Sequence, residues 1–277
     1  MPIWNAVLLG LIHGIAEFLP VSSSGHFAVV NNLFKLSDIS EEHPLFLALL
    51  YLASLASVCI VYWSEISAMF YELLSLAGLG PLAGEERARY PAARCFLMLV
   101  LGSLPLLLAL PINSRTDVLN GRNIFIGIML ILTGCILYVS DKMHPGKKGM
   151  NALSVTDALI IGLCQSVATI PGLSRAAVTI TAGVAVGLKR NVAVNFSFLL
   201  SIPAVFGAAM LNLGHALRQG IVWSFVPAYL LGTAVALVTG VGAIHLMRYL
   251  AAKRRFGGFA YYCWVIGVLS IILYLIF

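Results

Sequence analysis

The ten residues from Glu17 to His26 read Glu-Phe-Leu-Pro-Val-Ser-Ser-Ser-Gly-His. They interrupt an apolar chain, and they decide what it can fold into. The apolar run before them, Ile3 to Ile15, and the run after them, Phe27 to Leu33, are both shorter than the roughly 20 residues that span a bilayer. The pattern predicts two half-helices meeting at a polar break. In lipid, such a break survives only where protein buries it or where it lines a watered cavity. A carboxylate at that depth costs about 2.5–3.5 kcal/mol on insertion scales, so Glu17 marks a functional site.

Composition makes lipid the solvent to argue from. Hydrophobic residues are 60% of the chain and charged residues 10%, against about 25% charged in a soluble domain. The reading is an all-α integral membrane protein. The 277 residues have room for several spans and none for a separate soluble domain, so 1–277 is read as one membrane domain. No cleavable signal peptide is read at the start, since no basic residue precedes the first apolar run. The net charge of +6 is assigned to cytoplasmic loops, not to an acidic partner. Cys59, Cys95, Cys135, Cys164 and Cys263 lie in apolar segments without paired spacing, which predicts packing residues and neither disulfides nor a zinc site. The chain has no nucleic-acid motif and no Walker-type phosphate loop.

The second half repeats the first. Ala6-Val7-Leu8-Leu9-Gly10-Leu11 matches Ala158-Leu159-Ile160-Ile161-Gly162-Leu163. After a one-residue slip, Pro20 aligns with Pro171 and Ser23 with Ser174. The first repeat covers about 1–140 and the second about 155–277. The second break, Pro171-Gly172-Leu173-Ser174-Arg175, supplies a guanidinium where the first supplies Glu17 and His26. That division of charge predicts one composite site.

Between and after the breaks, about six transmembrane helices are expected: 44–63, 91–110, 123–140, 192–211, 222–247 and 257–277. Residues 35–42, 80–89, 111–122 and 212–220 read as connectors, and Pro105 and Pro203 as interruptions. If each broken pair re-enters and leaves on one side, twelve lysines and arginines, at 87–94, 142–148, 189–190 and 248–255, collect on one face. The other face keeps Lys35, Arg115, Arg122 and Arg218. The richer face is then cytoplasmic. The three spans between the breaks make this an inverted-topology repeat with two re-entrant helix pairs and with both termini outside the cytoplasm.

Four residue types at the breaks carry chemistry. Glu17 follows His13 by four residues, so the two share a helical face; together they could bind a divalent metal or share a proton, or form a buried interhelical contact. Ser22, Ser23 and Ser24 stand where a half-helix begins, to cap it, to bind phosphate oxygens or to supply a nucleophile. His26, three residues after Ser23, could serve a nearby hydroxyl or leaving oxygen as acid or base. Arg175 offers a bidentate fork to phosphate or an ion pair to Glu17, with Ser174 and Thr179 beside it. Such a set suits phosphoryl transfer or phosphate binding.

With Glu17–His26 and the Pro-Gly-Leu-Ser-Arg segment ending at Arg175, together with Thr179 and Phe196-Ser197-Phe198-Leu199-Leu200, the chain resembles the undecaprenyl-pyrophosphate phosphatase (BacA/UppP) family over nearly its whole length. The resemblance implies a multi-pass protein of the inner (plasma) membrane with a site open to the extracytoplasmic side. It implies hydrolysis of a polyprenyl pyrophosphate lipid to the monophosphate carrier of cell-wall assembly, aided by a divalent cation, Mg or Ca. Glu17, Ser23, His26 and Arg175 would be catalytic, Ser22, Ser24, Ser174 and Thr179 would bind substrate, and Glu17 with His13 would hold the metal. The chain departs from the family pattern at His13, Leu47, Tyr51, Ala176 and Asn195, where polar or acidic residues are usual. Another lipid-phosphatase superfamily joins Ser-Gly-His to Ser-Arg but places a histidine where Thr181 stands, which disfavours it. The alternative to hydrolysis is a non-hydrolytic polyprenyl-phosphate carrier or flippase, and the oligomeric state, a homodimer included, stays open.

Overall fold

The computed structural model describes residues 1–33, 42–79, 91–120, 123–144, 146–253 and 256–276. The connectors expected at 35–42 and 80–89 fall, apart from Glu42, outside them. The described chain is helical: α1 Ile3–Phe18, α2 Ser23–Leu33, α3 Pro44–Val61, α4 Trp63–Leu76, α5 Pro91–Asn120, α6 Asn123–Lys142, α7 Val155–Val167, α8 Arg175–Ala185, α9 Arg190–Gln219, α10 Val226–Ala252 and α11 Gly257–Ile276. Five segments among the described residues are long and apolar enough to cross a membrane: Pro44–Val61, Ile124–Lys142, Arg190–Gln219, Trp223–Ala252 and Gly257–Ile276. The sixth expected span lies in α5, in which the described residues Pro91–Leu107 are apolar.

Two connectors expected from polar composition are helical. Residues 111–120 continue α5, and 212–219 continue α9 through Pro203. A proline removes one backbone donor, but a helix broken within lipid would leave several backbone groups unsatisfied. What stops α9 is Gly220, at φ 87°, whose N–H bonds the Ala216 carbonyl. Of the five cysteines, Cys95 and Cys263 are buried, Cys59 and Cys164 half-buried and Cys135 exposed.

The two sequence repeats make matching contacts. α1 packs along α10, and α7 along α5. At the first crossing a Cβ on Gly10 would lie 2.1 Å from the carbonyl oxygen of Gly232; at the second, a Cβ on Gly162 would lie 2.1 Å from that of Gly102. The repeated glycine is therefore what lets each broken pair's first helix touch the backbone of its partner. α6 and α11 meet through Gly127 and Gly267, each within 2.8 Å of where the other's carbonyl oxygen would meet a Cβ. α3 and α9 pack together between the halves, and Phe198 of α9 meets the edge of Phe18 at the end of α1, with ring centres 5.6 Å apart. These contacts bring the break after α1 beside the break after α7.

Candidate functional site

Each break ends at a short helix whose first residue turns back toward Glu17. α1 stops at Phe18, Leu19 is extended, and the Leu19 N–H still bonds the Ile15 carbonyl. The chain then turns at Ser22, whose φ of 71° is the sole positive value at a non-glycine among the described residues. That conformation costs roughly 1–2 kcal/mol. The geometry shows what the turn holds in place. The Ser22 hydroxyl accepts the Gly25 N–H at 3.2 Å, capping α2, and the Ser22 carbonyl accepts the His26 backbone N–H at 3.2 Å and its ring Nδ1 at 2.7 Å. At the second break the left-handed residue is Gly172, φ 87°, and Ser174 caps α8 by accepting the Ala177 N–H at 3.2 Å.

Glu17 joins the two. The Arg175 Nη2 donates to its Oε1 at 2.9 Å, and the Ser23 hydroxyl donates to its Oε2 at 2.8 Å. Side-chain exposure is 16% for Arg175 and 8% for Glu17, so this is a buried, charge-assisted pair. Ser23 is the first residue of α2 and Arg175 the first of α8. The positive ends of two helix dipoles therefore face one carboxylate, the setting in which helix N-termini bind anions. Arg175 Nη1 is buried without a partner, a donor still to be used.

The remaining predicted residues divide. Ser24 crosses between the breaks, accepting the Gly172 N–H at 3.2 Å. Thr179 lies one turn behind Arg175, bonded to the Arg175 carbonyl at 2.9 Å and to the Ser197 hydroxyl; it braces α8 against α9. Ser174 caps α8. His26 does not reach Ser23: its Nδ1 bonds the Ser22 carbonyl, and its Nε2 bonds the hydroxyl of Tyr262 on α11 at 2.7 Å. The Ser23 hydroxyl is bonded instead to Glu17, and the His26 imidazole is held at Nδ1 by the carbonyl of the turn at Ser22. His13 is fully buried against Phe27 and Tyr51, and neither ring nitrogen makes a hydrogen bond. Of the other departures, Ala176 is buried in the first turn of α8, Leu47 is buried, and Asn195 accepts the Tyr62 hydroxyl at 2.9 Å.

Three residues that sequence reasoning missed hold the site from outside. Thr133 of α6 accepts the Ser174 N–H at 3.1 Å and lies 3.4 Å from the Gly172 carbonyl, fastening the second break. On the paired helix α11, the Cys263 thiol reaches the Pro20 carbonyl and Tyr262 reaches His26. None carried a sequence signal for the site apart from its place in a span.

The donor set does not hold a hard divalent cation by itself. Such ions take six or more oxygens, and magnesium relies on carboxylates plus substrate phosphates. Here one carboxylate has both oxygens engaged, one by a guanidinium, and the described residues contain no group of three His, Cys, Asp or Glu that could hold a metal. Mg or Ca would have to be held mainly by oxygens of a bound diphosphate.

The chain is thus a multi-pass helical membrane protein with an ion-paired, hydroxyl-rich centre between two helix N-termini. Residues 6–269 match the family described as bacitracin resistance protein BacA, and the chain belongs to that family. It is similar to proteins named undecaprenyl-diphosphatase: 36% identical over 276 residues to that of Desulforapulum autotrophicum, covering 98% of both chains; 35% over 274 residues to that of Pelotomaculum thermopropionicum, covering 99% of this chain and 97% of the other; and 30% over 278 residues to that of Methanosphaera stadtmanae, covering 99% and 98%.

Proposed function

We infer that this protein hydrolyses undecaprenyl, or a similar polyprenyl, pyrophosphate to the monophosphate and inorganic phosphate, returning the lipid carrier to cell-wall assembly. The observation that carries the reading is the Glu17 carboxylate, held on one oxygen by Arg175 and on the other by Ser23. Family membership and the names of the relatives agree with it.

The roles follow from that geometry. The diphosphate draws Arg175 onto its oxygens, using the unpartnered Nη1 first. This frees the Glu17 carboxylate to take the proton of Ser23. The Ser23 oxygen attacks the terminal phosphorus, and the bond to the lipid phosphate breaks with its electron pair on the departing oxygen. A water then hydrolyses the phosphoserine: its proton passes to Nε2 of His26, and the proton held on Glu17 returns to the departing Ser23 oxygen. The helix N-termini and Arg175 stabilise the charge on the transferred group, Ser22 and Ser24 line it, and Ser174 and Thr179 hold Arg175 in place. The reading also includes an inverted repeat with two re-entrant pairs, inner-membrane location, an extracytoplasmic site and both termini on that side. It is supported by the loop charges and by the matching glycine crossings of the two halves.

The test is phosphate release from polyprenyl pyrophosphate by purified protein in detergent, with and without chelator. Glu17→Gln, Ser23→Ala and Arg175→Ala are each expected to lower release by about 10²-fold or more. If variants that still bind substrate released phosphate like the parent, the reading would be overturned.

A further inference from the structure

We propose that Tyr262 positions His26 for hydrolysis, fixing the imidazole so that its Nε2 lone pair faces outward from α2. The proposal rests on His26 acting in catalysis as set out above.

A neutral imidazole carries one N–H and one lone pair. Nδ1 lies 2.7 Å from the Ser22 carbonyl, and a carbonyl can only accept, so Nδ1 bears the proton. Nε2 therefore accepts, and the bond at 2.7 Å to Tyr262 runs from the phenol O–H to the ring. The direction is set along the whole line: phenol to Nε2, Nδ1–H to the Ser22 carbonyl. The second partner of a histidine routinely selects which nitrogen stays basic. Here the chain selects it at a cost in backbone strain, since Ser22 takes its positive φ in the turn that presents that carbonyl.

One bond would leave the ring free to swing. Tyr262 removes that freedom. Its ring plane lies within 4° of the imidazole plane, with centres 5.6 Å apart, so orientation is held as well as tautomer. The phenol is also within reach of water. Tyr262 is 44% exposed, whereas its neighbour Cys263 is fully buried and touches the Pro20 carbonyl of the same break. The backbone of α11 is thus anchored beside the break while the Tyr262 side chain stands at the edge. Its hydroxyl stays on Nε2, and its oxygen can take the proton of the attacking water as its own proton passes to the ring.

A tyrosine near the end of a span is ordinarily an interfacial anchor, and the experiment separates the two roles. Tyr262→Phe keeps the ring and its membrane depth and removes only the hydroxyl. Assayed with polyprenyl pyrophosphate in detergent, it is expected to lower kcat by about tenfold, with KM within about twofold, a loss confined to the reacting state. In ¹⁵N spectra of imidazole-labelled protein, His26 of the parent shows the Nδ1–H form alone, and Tyr262→Phe shifts the Nε2 resonance toward that of an unbonded nitrogen. Unchanged kcat together with an unchanged Nε2 resonance would overturn the proposal, as would a rise in KM alone. His26→Gln is the control on which it rests. If that variant hydrolysed substrate like the parent, the catalytic role of His26 would fail, whatever Tyr262 did.

Discussion

The two breaks are built to one plan and differ in what they spend it on. Each ends an apolar helix, turns through one left-handed residue, and begins a short helix capped by a serine. At the second break the left-handed residue is Gly172, which adopts φ 87° without penalty, and Thr133 fastens the turn through backbone groups. At the first it is Ser22, at φ 71°, and its outside support, the Cys263 thiol apart, comes through the side chains of His26 and Tyr262. The second break is a rigid socket that delivers one guanidinium. The first carries the Ser23 hydroxyl, the Glu17 carboxylate and the His26 imidazole, and it stores strain in holding them. Backbone strain of this kind collects at functional sites.

The comparison breaks most visibly at Gly172. Gly172→Ala forces an alanine into the left-handed region, and the new Cβ would lie 2.9 Å from the Met129 Cβ and 3.0 Å from the Ile126 carbonyl oxygen. Both neighbours belong to α6 and cannot move as a flexible side chain can. The expected cost is about 2–4 kcal/mol, read as a fall in thermal midpoint, and phosphate release should fall with it as Arg175 loses its seat. Unchanged midpoint and activity would mean that the second break is no socket.

Ser22→Gly tests the other half and should have a smaller effect. Glycine relieves the left-handed penalty and loses a capping hydroxyl worth a few tenths of a kcal/mol relative to glycine, so the thermal midpoint should hardly move. Phosphate release should nonetheless drop a few-fold, because a looser turn no longer holds the carbonyl against His26 Nδ1. A variant as active as the parent would show that the strain at residue 22 serves folding alone.

The difference between the breaks also explains what could be read in advance. Glu17, Ser23 and Arg175 were legible because charge and clustered hydroxyls have no place in an apolar chain without a partner, and the repeat indicated where the partner lay. The glycine crossings were legible as a repeated motif. Tyr262 and Thr133 were not, since a tyrosine near a span end and a threonine within one look like their neighbours until the packing is known. The partners of His26 were not legible, because spacing along a helix says nothing of a strained turn just before it or of a tyrosine in the last span. The end of α9 was misplaced for a related reason: a polar residue such as Asn212, whose amide donates to the Ala208 carbonyl at 2.8 Å, satisfies itself within the helix and does not end it.

The smallest predicted effect concerns a pair that the repeat alignment makes equivalent. His13 follows Ala6 by seven residues, as Gln165 follows Ala158. Both are buried, and both have every polar side-chain atom without a partner. A buried polar group left unbonded costs about 1–3 kcal/mol, so each half keeps a destabilising side chain at the same place. Phenylalanine at 13 preserves the ring contacts with Phe27 and Tyr51, and leucine at 165 keeps most of the volume. Because Arg175 and Ser23 each hold an oxygen of the Glu17 carboxylate, His13→Phe and Gln165→Leu should each raise the thermal midpoint and leave phosphate release within about twofold. If His13→Phe instead lost release steeply, and the loss tracked chelator sensitivity of the parent, His13 would belong to the working site. A cation would then have protein ligands of its own, and the first break would differ from the second in metal chemistry as well as in strain.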